Sequence, residues 1–410
     1  LNYIIVTRRR EMKRLDGLYE LIGGLEKGRT DRRTFMKRAV AMGLGVSSIG
    51  ALLSSSSRLI GEASAQTPPA GKPVNIGVGY FPSWVGGWSG AIIKHKEIWK
   101  KYLPAGSKIE WDVHVVGAPV ANNLLAGKLQ IGYLGDTPGF VATTKRGIAD
   151  LRIVSINIFS NTGQICADML LRSDAPQFKS TAEIIKWLDG KKIGVSGKGS
   201  CGDRFVSGLV KKYGIKAEIQ YLDPTIIKTV LQSKKIDAAQ SFQPHVAQIS
   251  EGGHGRVAFT GAEWGWQEGS VILMRKDFID SHREIAKGWL KADIEALQFM
   301  LKNPYETVEL ISKDLPGFSK KDLWIALYGQ YQKNIKASDV NAVALVPFDR
   351  HITEYINEAF RFLHSIGAIT VDRPLEGAIF PALLDEAVKE MGVRLPLGEF
   401  KGRPVSEFKA

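Results

Sequence analysis

Three observations predict an α/β protein of two lobes. Strand-like and helix-like segments alternate from residue 74 to residue 274, two segments break that alternation, and the sequence beyond Asp277 becomes predominantly helical. Each lobe is expected to be a mixed, mostly parallel sheet flanked by helices, with a helical C-terminal segment.

The elements follow in order. Residues 74–80 form a short apolar run ending in the loop 81–90, and a helix is expected over 91–102. Residues 109–116 alternate as a strand, 119–126 read as a helix, and Gly127 closes it. A strand over 131–134 leads into Asp136-Thr137-Pro138, where Thr137 can cap a helix whose first residue, Pro138, needs no N–H partner. After a strand at 151–159, the polar segment 160–164 looks like a crossing to a fresh set of elements. These are strands near 166–171, 192–196, 218–222 and 236–240, separated by helices near 182–188, 204–213 and 226–232. The chain crosses back through 257–267, past Gly261 and the pair Trp264 and Trp266, into a last strand at 271–274. Helical spacing then runs through Ile285, Trp289, Ile294, Leu297 and Leu301, and later through Tyr355, Ala359, Phe362 and Leu363. The boundaries are therefore a first lobe of residues 74–160 plus 262–390, a second of 161–261, and a C-terminal tail of 391–410.

Residues 1–65 stand apart. Asp31-Arg32-Arg33-Thr34-Phe35-Met36-Lys37 precedes a small, apolar run from residue 39 to 53 and then Ala63-Ser64-Ala65. This resembles a twin-arginine export signal with an A-x-A cleavage site, departing from it at Asp31, where Ser or Thr is usual, and at Met36, where Leu is. An uncleaved membrane anchor is the competing reading, weakened by Gly43, Gly45 and the serines at 54–57. The whole chain of 410 residues carries +13, but the first 65 hold twelve Lys/Arg and six Asp/Glu, so the remainder carries only +7. Such a surface tolerates anionic ligands. No Lys/Arg-dense stripe interleaved with aromatics exists, which argues against a nucleic-acid partner.

Cys166 and Cys201 could pair in an oxidising compartment, but two separate small side chains is the preferred reading, because no cysteine-rich framework is needed at this size. The seven histidines include no H-x-x-x-H or H-E-x-x-H, so neither a metal nor a cofactor is expected on that ground. One motif points elsewhere. Gly197-Lys198-Gly199-Ser200-Cys201-Gly202 has G-x-G-x-x-G spacing between a strand and a helix, with Asp223 about twenty residues on, as in a dinucleotide-binding turn. An exported NAD(P)-dependent oxidoreductase is the reading it supports. The motif lies mid-chain, however, and no catalytic Tyr-Lys or Lys-His set accompanies it.

Other segments carry a family resemblance. "LLAGKLQIGYLGDTPGFVATTKRG", "STAEIIKWLDGKKIGVSGKGSCGDRFVSGLVKKYGI" and "VLQSKKIDAAQSFQPHVAQ", in that order, are similar to periplasmic solute-binding proteins of ABC importers for sulfonates, nitrate, taurine and thiamine-pyrimidine precursors. The stretch "GDTP", Gly135 to Pro138, is most like the aliphatic-sulfonate branch. The departures are Gln130 for an acidic residue, Lys235 for a glycine, and Phe242-Gln243-Pro244 where W-(D/E)-P is frequent. The resemblance implies a two-lobed, type II-like fold, a non-enzymatic monomer in the periplasm, a small anionic organic ligand in an interlobe cleft, and an ABC permease as membrane partner. A binder of nitrate or of a thiamine-pyrimidine precursor is the closest rival.

Four places are candidates for that cleft. In the loop after the first strand, residues 80–88, aromatics such as Tyr80 and Trp84 could clamp a ligand body, the alternative being that Trp84 or Trp88 packs against the following helix. At Gly135-Asp136-Thr137 the hydroxyl and amides make an anion-facing helix terminus, whereas Asp136 would repel a sulfonate unless the ligand also carries an amine. Gly199, Ser200 and Cys201 form a second such terminus, Ser200 supplying a hydroxyl. Gln243 and Trp266 lie near the second crossing, and Arg204 reads by default as a solvated helix-face residue. Cys201 also invites a nucleophile reading, but no His with Asn or Asp is arranged to complete it.

Overall fold

A computed structural model describes Thr34 and residues 69–331 and 335–408. The expected export signal lies outside the described residues apart from Thr34. The described residues of the unit spanning 68–410 contain two sheets.

In chain order its elements begin with β1 (Asn75–Tyr80), α1 (Trp88–Lys96), β2 (Lys108–Val113), α2 (Gly117–Leu125), β3 (Ile131–Gly135), α3 (Asp136–Thr143) and β4 (Leu151–Ser160). Then come β5 (Asp168–Arg172), α4 (Thr181–Trp187), β6 (Lys192–Ser196), α5 (Cys201–Tyr213), β7 (Glu218–Leu222), α6 (Pro224–Gln232), β8 (Ala238–Ser241), α7 (His245–Glu251) and β9 (Gly255–Thr260). The chain returns through β10 (Glu268–Arg275), α8 (Lys276–Ser281), α9 (Arg283–Lys302), α10 (Pro304–Ser312), α11 (Lys320–Tyr328), β11 (Val340–Val346), α12 (Arg350–Ser365), α13 (Ala382–Met391) and β12 (Gly398–Lys401).

The first sheet has seven strands in the order β12-β11-β4-β10-β3-β1-β2, and the second has five in the order β7-β6-β8-β5-β9. Both are mixed. Among the named strands, parallel pairing joins β1 to β2 and β3, and β6 to β7 and β8, where a helix carries the chain back to start a strand in the same direction beside its neighbour. Strands that return from the other sheet, β10 and β5, run antiparallel to their neighbours, so the first sheet is less parallel than the sequence suggests. All ten residues of β4 are buried, since helices cover both faces of the sheet at its centre.

The sequence missed four elements. Helix α7 follows the cis peptide bond Gln243–Pro244, and β9 occupies residues read as crossing. Strands β11 and β12 pair with each other, and β11 also pairs with β4, so the expected C-terminal tail contributes a strand to the first sheet. Among the described residues no helix is long and apolar enough to cross a membrane.

The two crossings, 161–167 and 261–267, run side by side. Gly261 donates its N–H to the Ala167 carbonyl at 2.9 Å. Gly163 has φ +61°, and a Cβ there would stand 2.8 Å from the Ala167 Cβ and 2.9 Å from the Gly261 Cα. Only a glycine allows that approach.

Candidate functional site

A cavity of about 350 Å³ opens between the two sheets, walled on one side by Phe81, Trp84, Val116 to Ala118, Gly135 and Pro138. The other wall is Ser196 to Cys201, Tyr221 to Pro224, and Phe242. Strand directions explain the convergence. The C-terminal ends of the parallel strands point toward the cavity, so the helices that follow them begin there.

Four helices start at this wall. Helix α2 starts at Gly117 after Val116, and α3 at Asp136 after Gly135, and neither preceding residue offers a side-chain cap. Helix α5 starts at Cys201 with Ser200 as cap, its Oγ accepting the Asp203 N–H at 3.1 Å. Helix α6 starts at Pro224, capped by Asp223, whose Oδ1 accepts the Thr225 N–H at 2.8 Å. The first N–H groups of a helix have no intrahelical acceptor, and its N-terminus carries about half a positive charge. Their convergence offers partial positive charge without an arginine in the lining, α6 least of the four, because Pro224 has no N–H and Asp223 takes those of Thr225 and Ile226.

The loop between β6 and α5 is held in place from behind. Gly199 has φ +73°, a left-handed conformation that places its N–H 2.8 Å from Asp203 Oδ2. The same carboxylate accepts from Ser207 Oγ and from the Tyr221 hydroxyl, each at 3.0 Å. Asp203 therefore organises the loop and does not face an anion. Lys198 lines the cavity and stands 5.9 Å from the Tyr221 ring centroid. The apolar part is aromatic: Phe81 stacks on Trp84 at 5.3 Å, and both are buried.

Trp84, Gly199, Ser200 and Cys201 thus line one cavity, as a set of residues that the sequence placed in two separate loops. Other candidates fall behind its wall. Tyr80 donates its hydroxyl to Asp314 Oδ2 at 2.8 Å, away from the cavity. Thr137 is fully buried, with its N–H and Oγ1 both directed to Asp136 Oδ1. Gln243 donates through Nε2 to Asp168 Oδ2 at 3.3 Å and to the Tyr331 hydroxyl at 3.2 Å. Trp266 packs on Phe205 at 5.2 Å and carries the Arg204 guanidinium over its ring at 4.5 Å.

Two expectations need correction. Cys166 and Cys201 are joined in a disulfide, because the first crossing brings residue 166 beside the start of α5. This leaves Cys201 no thiol to act as nucleophile. Arg204 is not a solvated residue: it is 7% exposed, and its Nη2 donates to Asp136 Oδ2 at 3.0 Å and to the Gln267 carbonyl at 2.8 Å.

Residues the sequence did not single out include Lys198, Phe81, Phe242 and the α2 and α6 termini. Pro224, suited to the first position of a helix, was a signal for one of these. Nearby, Glu268 accepts the Ile165 and Cys166 N–H groups at 2.8 and 2.6 Å, and burial pushes its carboxyl up to about 8.

Residues 70–312 match the NMT1-like family. The chain belongs to that family. Its curated relatives include the taurine-binding periplasmic protein of Escherichia coli strain K12, 30% identical over 241 residues, which are 54% of this chain and 70% of that protein. The alkanesulfonate-binding protein SsuA from Xanthomonas axonopodis pv. citri, solved bound to MOPS, shares the fold with a TM-score of 0.62 at 16% identity, covering 76% of this chain and 100% of that one. The periplasmic nitrate-binding protein NrtA from Synechocystis PCC 6803 aligns with a TM-score of 0.63 at 15% identity, covering 82% and 96%. This NMT1-like chain therefore has the two-sheet fold of periplasmic binding proteins.

Proposed function

We propose that this protein is the exported solute-binding component of an ABC importer, sent out by the twin-arginine route and working as a monomer. It captures a small organic anion with an apolar body, a sulfonate or a close chemical relative, and delivers it to the permease. The observation that carries this reading is the convergence of four helix N-termini on one largely apolar, aromatic-walled cavity. An anionic head would sit on the free amides at the start of α5, with Lys198 and the Ser200 hydroxyl beside it. The apolar body would lie against Phe81, Trp84 and Phe242. Nitrate would leave most of that wall unfilled. The taurine and alkanesulfonate binders among the relatives support the ligand class.

The test is thermal unfolding of the purified protein against a panel of a longer alkanesulfonate, an arylsulfonate, taurine, nitrate, a thiamine-pyrimidine precursor and NAD. A ligand at a hundred times its Kd adds about 2.7 kcal/mol of stability, a shift of a few degrees. The expected order is alkane- or arylsulfonate above taurine and nitrate, with NAD inert. A shift with NAD alone would return the assignment to an oxidoreductase.

A further inference from the structure

We propose that the Asp136–Arg204 ion pair is a positioning latch that sets how far the cleft closes, in the ligand-free protein as well as in the loaded one. The inference rests on the cavity being a binding cleft. Asp136 is the first residue of α3, which follows a strand of the seven-stranded sheet, and Arg204 lies in the first turn of α5, which follows a strand of the five-stranded sheet. Their 3.0 Å contact therefore spans the two layers. Neither side chain lines the cavity, yet each sits within one helical turn of a residue that does: Gly135 and Pro138 flank Asp136, and Cys201 precedes Arg204 by three positions.

The surroundings anchor both charges. Asp136 Oδ2 also accepts from the Tyr355 hydroxyl, and its Oδ1 accepts from Thr137, so the carboxylate is fully partnered on the first-sheet side. Arg204 is fixed by the Gln267 carbonyl and the Trp266 face, both on the second crossing. A charge buried without its partner is strongly disfavoured, whereas both are well solvated when water enters between them. The closed arrangement is therefore tolerated only when the two groups meet. Removing one partner leaves a lone charge on closing and favours the open form; removing both lifts that penalty.

The experiment compares wild type, Asp136→Asn, Arg204→Met and the double variant by small-angle scattering without ligand, with circular dichroism to confirm folding. Each single variant should show a larger radius of gyration, and the double variant should return toward the wild-type value. In stopped-flow release of an octanesulfonate probe, each single variant should release at least tenfold faster and the double variant less so. Single variants as compact as the wild type, or a double variant no more compact than the singles, would overturn the latch. A wild type that binds no anion counts instead against the proposed function, and the ligand-free scattering still decides the latch.

Discussion

Glu268 illustrates how a single buried carboxyl shapes the response to pH. It is 1% exposed, and burial is the main cause that raises its affinity for a proton, with the Asp136 charge adding to it. Because the folded state holds this proton more tightly than the unfolded chain, its stabilising contribution is complete below the ordinary carboxylate range and falls away as pH rises toward about 8. Glu268→Gln keeps an oxygen for the two amides of the crossing. Its melting temperature should fall less than the wild type's between pH 5 and pH 8, measured by calorimetry. Ser200→Ala should cost about 1 kcal/mol of stability through the lost α5 cap, and should also weaken anion binding in titration calorimetry. Gly163→Ala should be more damaging to the fold, roughly 1–3 kcal/mol in urea unfolding, since it combines a left-handed backbone with contacts under 3 Å. Residue roles were legible where they depend on neighbours in the chain, as for the cap at Ser200. They were hidden where the partner is remote: nothing near Asp136 announces that Arg204, 68 positions away, will neutralise it.

The elements divide in the same way. Parallel strands followed by helices were legible as apolar runs punctuated by Gly and Pro, so β1, β3, β6 and β7 lie close to where the sequence puts them. Strand β11, "VNAVALV", sits between helices, where its apolar run matches either period, and only pairing with β4 makes it a strand. The cavity wall was half legible. The glycine turn before α5 signals a helix start, but the α2 and α6 termini join it only because β2 and β7, edge strands of different sheets, end at the same cavity. The disulfide fixes one of these elements, tying the α5 N-terminus to the first crossing across 35 positions. Cys166→Ser with Cys201→Ser should therefore lower stability by roughly 3–4 kcal/mol on the chain-entropy account. Chemical denaturation with and without reductant measures that loss, and equal midpoints would show that the clip adds nothing.

At the scale of the molecule, two sheets are joined by two adjacent strands of crossing chain, a construction that permits hinge motion about one axis. The buried groups of Asp136, Arg204 and Glu268 lie beside those crossings, Arg204 held by the Gln267 carbonyl and Glu268 by the Ile165 and Cys166 amides. The cavity has one further property. Apart from Lys198, and set against the Asp223 carboxylate, the positive charge it can offer comes from peptide bonds at helix starts, and peptide bonds neither titrate nor change with side-chain substitution. Recognition of an anion here should therefore stay level across the pH range in which a histidine-based receptor would switch. Under the proposed function, a new ligand body would require only a recut apolar wall, because the seat proposed for the charge lies in the backbone itself.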